Sequence, residues 1–265
     1  MITDEAYIRF DSIRKRTIQE IDLLSSHINP ILSTNSKTYS SGNFRSIQYL
    51  LEYIKRSIDN LDAISCILIN IGNDKAFENP LGIILRSGLL DFITLLYNDL
   101  KAGEVDDNYY KAEFEDIAKN ILFDHFNYLS LDEDLKITFK EFINISDKGK
   151  VKSGFGEAPK FINMKQTITN QKNNYFYYAC EHWEWYSKYE HFGFFSYDMQ
   201  RLDREGIRNR MFLSISHLIF GINVAIKILS EITDEFSISE KQVGNIRSVW
   251  ESYLEFLFKE KVVIE

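Results

Sequence analysis

LDREGIRNRMFLSISHLIFGINVAIKILSE, residues 202–231, is the stretch that decides the fold. Ile207, Met211, Ile215, Leu218, Ile222, Ile226 and Leu229 recur at steps of three and four, the period of one α-helical face. Neither Pro nor a turn dipeptide interrupts the run, so it predicts a helix of about eight turns with an apolar core side.

The pattern extends in both directions. Val243, Ile246, Trp250, Tyr253 and Leu257 give a last helix from about Ser239 to Lys261. Upstream, Phe44, Ile47, Leu51, Ile54, Ile58, Leu61 and Leu68 form a second long seam, with one gap at Ser65. Pro80 in a first turn and Gly103 at the end bracket a helix over Leu81 to Leu100. Phe10, Ile13, Ile21, Leu24 and Ile28 predict an N-terminal helix that Pro30 stops, before a polar loop from Ile31 to Asn43. Further helices are expected around Tyr109 to Leu129, Asp132 to Ile143, Phe161 to Gln171 and Tyr175 to His191.

The fold class is therefore all-α: one domain over 1–265, a bundle of eight to nine helices, up-and-down with long antiparallel members. The Lys- and Gly-rich run 147–159 breaks every period and reads as a flexible linker interrupting that bundle.

Composition narrows the function. The chain has 265 residues, 45% hydrophobic and 14% aromatic, with only 3 Pro, which suits a packed core and excludes the disordered classes. Its net charge of −8 speaks against a broad DNA-binding surface. Cys66 and Cys180 fall within apolar patterns and are expected to be reduced core residues of a cytoplasmic protein. Met1 to Glu5 lacks the basic start and apolar stretch of a secretory signal. The window Leu81 to Tyr97 carries Arg86 and Asp91, so it reads as a buried helix, with no membrane partner expected.

Absent motifs exclude more. No Glu-x-x-His, His-Glu-x-x-His, Cys-x-x-Cys or phosphate-binding Gly-x-x-x-x-Gly-Lys sequence occurs, so no metal and no cofactor is expected.

The candidate site residues are the polar ones that break the apolar pattern. Arg86 has Gly82, Leu90, Ile93 and Tyr97 at helical spacing, which puts a guanidinium on an apolar face and calls for a carboxylate or a bound small anion. Ser87, Asp91, Thr94 and Asn98 form a polar stripe on the same helix, read as a solvent edge. In the aromatic helix, Tyr175, Tyr178, His182, Trp185, Tyr189 and Phe192 share a face. His182 is then a core histidine or a ligand-binding one. Ser187 and His191 lie four apart, within hydrogen-bonding reach, and His191 has the titration range for acid–base work. Arg210 and His217 are seven apart on one face, with Gly221 a turn beyond, a place for close helix approach within one chain or across a homodimer.

Two resemblances follow from these residues. Ser187-x-x-x-His191 after an aromatic helix, with an Arg in an earlier apolar helix, resembles a group of bacterial all-helical proteins that carry a Tyr-x-x-Leu-Ser-x-x-x-His signature. Trp183 stands at its Tyr and Tyr186 at its Leu. Some related proteins act in phage resistance by abortive infection, so this resemblance implies a stress or anti-phage role, with a polar pocket of Arg86, Ser187 and His191. Arg210 with His217 resembles the Arg-x(4–6)-His motif of the HEPN ribonucleases, which implies metal-independent RNA cleavage by those two residues across a dimer. A third reading is a sensor whose small anion or nucleotide is held by Arg86.

Overall fold

The computed structural model of the chain describes residues 4–35, 45–71, 78–105, 107–124, 143–145, 151–153, 159–187, 204–232 and 238–262. Among them are eight helices: α1 (Asp4–Asn35), α2 (Arg45–Asn70), α3 (Glu78–Ala102), α4 (Asp107–Asp124), α5 (Phe161–Asn170), α6 (Asn174–Tyr186), α7 (Arg204–Ile232) and α8 (Glu240–Lys259). The protein is an all-α multi-helix bundle with one small addition. Two three-residue strands, β1 (Ile143–Ile145) and β2 (Val151–Ser153), pair antiparallel with Ile143 opposite Ser153.

The bundle is organised around α7. All seven of its predicted core residues are buried, and so are Ser214, Ser216 and His217 on its other sides. Helices α2, α3, α6 and α8 lie against it. Contacts along its length set their directions. Glu78 at the start of α3 accepts from Nε of Arg204 at 2.8 Å and of Arg208 at 3.1 Å, while Gly88 faces Leu218, so α3 and α7 run parallel. Glu78 is buried; burial pushes its pKa up, but Arg204 and Arg208 outweigh that and hold it below the usual glutamate value. Helix α8 lies antiparallel to α1, where Arg16 donates to Ser252 Oγ at 2.7 Å and Thr17 Oγ1 lies 2.9 Å from Tyr253 Oη. Its start is a capping box formed by Ser239 and Gln242.

Several expectations need correction. Pro30 does not stop α1, which continues to Asn35 because Ile28 and Ile31 on either side are both buried in the core. The one backbone bond that Pro removes is offset by that packing. The segment expected to be a flexible linker, 147–159, contains β2, and the helix expected up to Ile143 meets β1 at that residue. Ile-Asn-Ile alternates apolar and polar residues, and five residues separate it from Val-Lys-Ser, a hairpin spacing. Of the two cysteines, Cys180 is buried but Cys66 is exposed. Two helices, α3 and α7, are long and apolar enough to cross a membrane; 50% and 83% of their apolar windows are buried inside the chain.

Gly221 is where α7 is approached most closely. A Cβ there would lie 1.9 Å from Tyr53 Oη and 2.9 Å from Phe92 Cδ2. Helix propensity alone favours Ala over Gly by up to about 1 kcal/mol, but this contact reverses the sign. Gly221→Ala is expected to destabilise the protein by about 2–3 kcal/mol, measured by urea denaturation. Gly221→Ala combined with Tyr53→Phe should recover part of the loss. A G221A variant as stable as the parent would refute the packing described.

Candidate functional site between α6 and α7

Helix α6 begins at Asn173, whose side chain accepts from the backbone N–H of Tyr175 and Phe176. It lies antiparallel to α7: Tyr175 meets His217, His182 meets Ser214, and Trp185 meets Arg210. On α7, positions 210, 214 and 217 are spaced to share one face. The expected alignment of Arg210 with His217 therefore holds, and it is α6 that they face.

A hydrogen-bond chain runs through this seam. Ser214 Oγ donates to the Arg210 carbonyl at 2.7 Å. Its single hydrogen is then committed, so it can only accept from Tyr186 Oη at 3.0 Å and from His182 Nδ1 at 2.9 Å. His182 must therefore carry its proton on Nδ1, which leaves Nε2 as a bare acceptor. His217 takes the opposite tautomer. Its Nε2 lies 2.7 Å from the Tyr175 carbonyl, which only accepts, so Nε2 holds the proton. The remaining nitrogen, Nδ1, is buried without a hydrogen bond.

Both rings are neutral near pH 7. Burial drives the His217 pKa down to about 4, against the opposing pull of the Tyr175 carbonyl. Burial, then the nearby His217 and Arg210, puts His182 well below the usual histidine value. The two rings meet edge-on with centroids 6.2 Å apart, and His217 is covered by Tyr175 at 4.2 Å and Phe92 at 5.7 Å. Tyr175 is held in turn by Ser216 and Trp250, at 3.0 and 3.1 Å from its hydroxyl.

Arg210 is half-buried beside these histidines. Its guanidinium lies 4.8 Å from the centre of the Trp185 ring, and its Nη1 is buried with no hydrogen-bond partner. Among the described residues no carboxylate pairs with it.

The other expected site residues fall elsewhere. The Arg86 guanidinium lies over the Trp183 ring at 5.5 Å, and Phe161 stacks on Trp183 at 4.0 Å. Thus Arg86 joins the aromatic helix through an indole, at the residue next to His182. Ser187 was expected to reach His191, but its hydroxyl donates to the Glu184 carbonyl at 2.6 Å at the end of α6. His191 lies outside the described residues. The buried face of α6 is Ala179, Cys180, His182 and Tyr186, a rotation from the expected aromatic face that leaves Tyr178 exposed. Glu181 and Glu184 turn outward and share Lys165, each at 2.7 Å.

Of the pair expected to act on RNA, Arg210 is half-buried and His217 is enclosed. His217 has no exposed surface in the single chain, is neutral above about pH 4, and has its N–H committed to a carbonyl. Residues that the sequence reading missed are Ser214 and Tyr186. Their signal was present: Ser214 lies four residues after Arg210 and three before His217, and Tyr186 lies four after His182.

No family model, curated protein or solved structure matches this chain.

The depressed histidines make stability depend on pH. Below about pH 6.5 the unfolded chain takes up protons on these histidines that the folded chain refuses, so stability falls with pH until the folded values are reached. Each fully depressed histidine contributes a slope of about 1.4 kcal/mol per pH unit in that window. Urea denaturation from pH 7 to 4.5 should show this loss, and His217→Asn should flatten it; a flat profile for the parent would contradict the buried neutral pair.

Proposed function

We propose that this bundle is a ligand-binding protein that holds a small oxyanion, free or as part of a larger molecule, at Arg210 in the α6–α7 seam. The observation that carries this reading is the buried Nη1 of Arg210, an unused donor on a permanent cation with no carboxylate beside it among the described residues. A buried guanidinium donor without an acceptor is costly, and an anion removes the cost. The surroundings support the same reading. Trp185 lies against the guanidinium and orients it. His182 beside it is neutral, with a bare Nε2 that accepts a hydrogen bond from a hydroxyl or amide on the same ligand.

Among the described residues the other imidazole of the seam, His217, is enclosed, which does not favour phosphodiester cleavage. Binding without turnover is the chemistry these groups support.

The experiment is isothermal titration calorimetry with inorganic phosphate and with sulfate at low ionic strength. The parent should bind at least one of them, more weakly as salt is raised, and Arg210→Gln should lose about tenfold in affinity while keeping its circular dichroism. No heat with either anion, or equal affinity in R210Q, would reject the reading.

A further inference from the structure

The polar stripe of α3, read from sequence as a solvent edge, is turned inward at its far end. Asn98 has no exposed surface, and neither its Oδ1 nor its Nδ2 has a hydrogen-bond partner. Across the seam, α2 presents three hydroxyls at four-residue intervals, Tyr49, Tyr53 and Ser57, which are 7%, 4% and 1% exposed. The Tyr49 hydroxyl has no hydrogen-bond partner, and the Tyr53 and Ser57 hydroxyls have only one another. Both tyrosine hydroxyls lie within electrostatic range of Asp91, and burial raises both their pKa values.

The register follows from two contacts. Arg56 on α2 pairs with Asp91 on α3 at 3.1 Å. Tyr49 packs on Phe114, which stacks on Tyr110, whose hydroxyl donates to Asp99 at 2.7 Å. Seven residues before Arg56 is Tyr49, and seven after Asp91 is Asn98, so in this antiparallel pair the two are level. Arg56 and Asp91, both partly exposed, mark the solvent end of the seam.

Three buried polar atoms without partners, the two of the Asn98 carboxamide and the Tyr49 hydroxyl, are more than one seam of a folded core tolerates. We infer that the α2–α3 seam is a second ligand site, for a neutral planar molecule with a donor beside an acceptor on its edge, such as a heterocyclic amide. The carboxamide of Asn98 sets the edge, since it offers one acceptor and one donor side by side. The hydroxyls of Tyr49, Tyr53 and Ser57 each give or take a hydrogen bond, and the two phenol rings supply flat apolar surface. Charge sets the neutrality: the carboxylate that acts on both phenols, Asp91, already faces Arg56. This site is separate from Arg210 and does not depend on it.

The test uses the full chain with uracil and nicotinamide as probes, followed by thermal denaturation and calorimetry. At a hundredfold excess over Kd, a bound probe should raise Tm by about 5 °C. Asn98→Leu should weaken that probe about 100-fold and leave the apo Tm unchanged or higher, since it removes two unpaired atoms. Tyr53→Phe, which keeps the ring, should weaken it about tenfold and serves if N98L does not fold. Phosphate binding should be the same in both variants as in the parent. The inference is overturned if neither probe shifts Tm or gives heat, if both variants bind as the parent does, or if crystals soaked with the probes show only ordered water in the seam.

Discussion

Everything in this bundle depends on how closely other helices approach α7. Ordinary helices keep 8–10 Å between axes because side chains hold them apart. At Gly221 there is no side chain, and Tyr53 from α2 and Phe92 from α3 occupy the place where a Cβ would stand. That single omission brings three helices together. It also sets where Phe92 covers His217, and so how the interior side of the α6–α7 seam is closed.

The two seams flanking this contact differ in chemistry because they bury different polar groups. Between α6 and α7 the dominant group is a permanent cation, Arg210, next to two imidazoles that burial keeps neutral. Between α2 and α3 it is a carboxamide and three hydroxyls, beside the Arg56–Asp91 pair. Buried polar atoms are costly in proportion to how poorly they are satisfied. The first seam therefore suits an anion and the second a neutral molecule.

Helix content was legible because it depends on local spacing alone. Steps of three and four located the core residues of α7 and most of those of α2, and the last helix was expected from about Ser239, the residue that caps α8. The site was legible only in part. Arg210, His182 and His217 stood out as polar residues in apolar runs, and they do come together. The enclosure of His217 was not legible, because spacing shows which face a residue shares, not what lies over that face. The stripe ending in Asn98 was misjudged for the same reason: its polarity suggested water, and Asn98 is buried instead.

Sequence by itself determined the helical period and the positions of most breaks, and it marked Gly221 as a place for close approach, while the neighbours that require a glycine there, Tyr53 and Phe92, came from tertiary structure. Pro30, the strand at Val151–Ser153 and the orientation of Asn98 were decided by tertiary structure, since each depends on a partner distant along the chain. So did the protonation of the histidines. An imidazole has no preferred charge near neutral pH until its surroundings supply one, and for His182 and His217 those surroundings are the packed helices themselves.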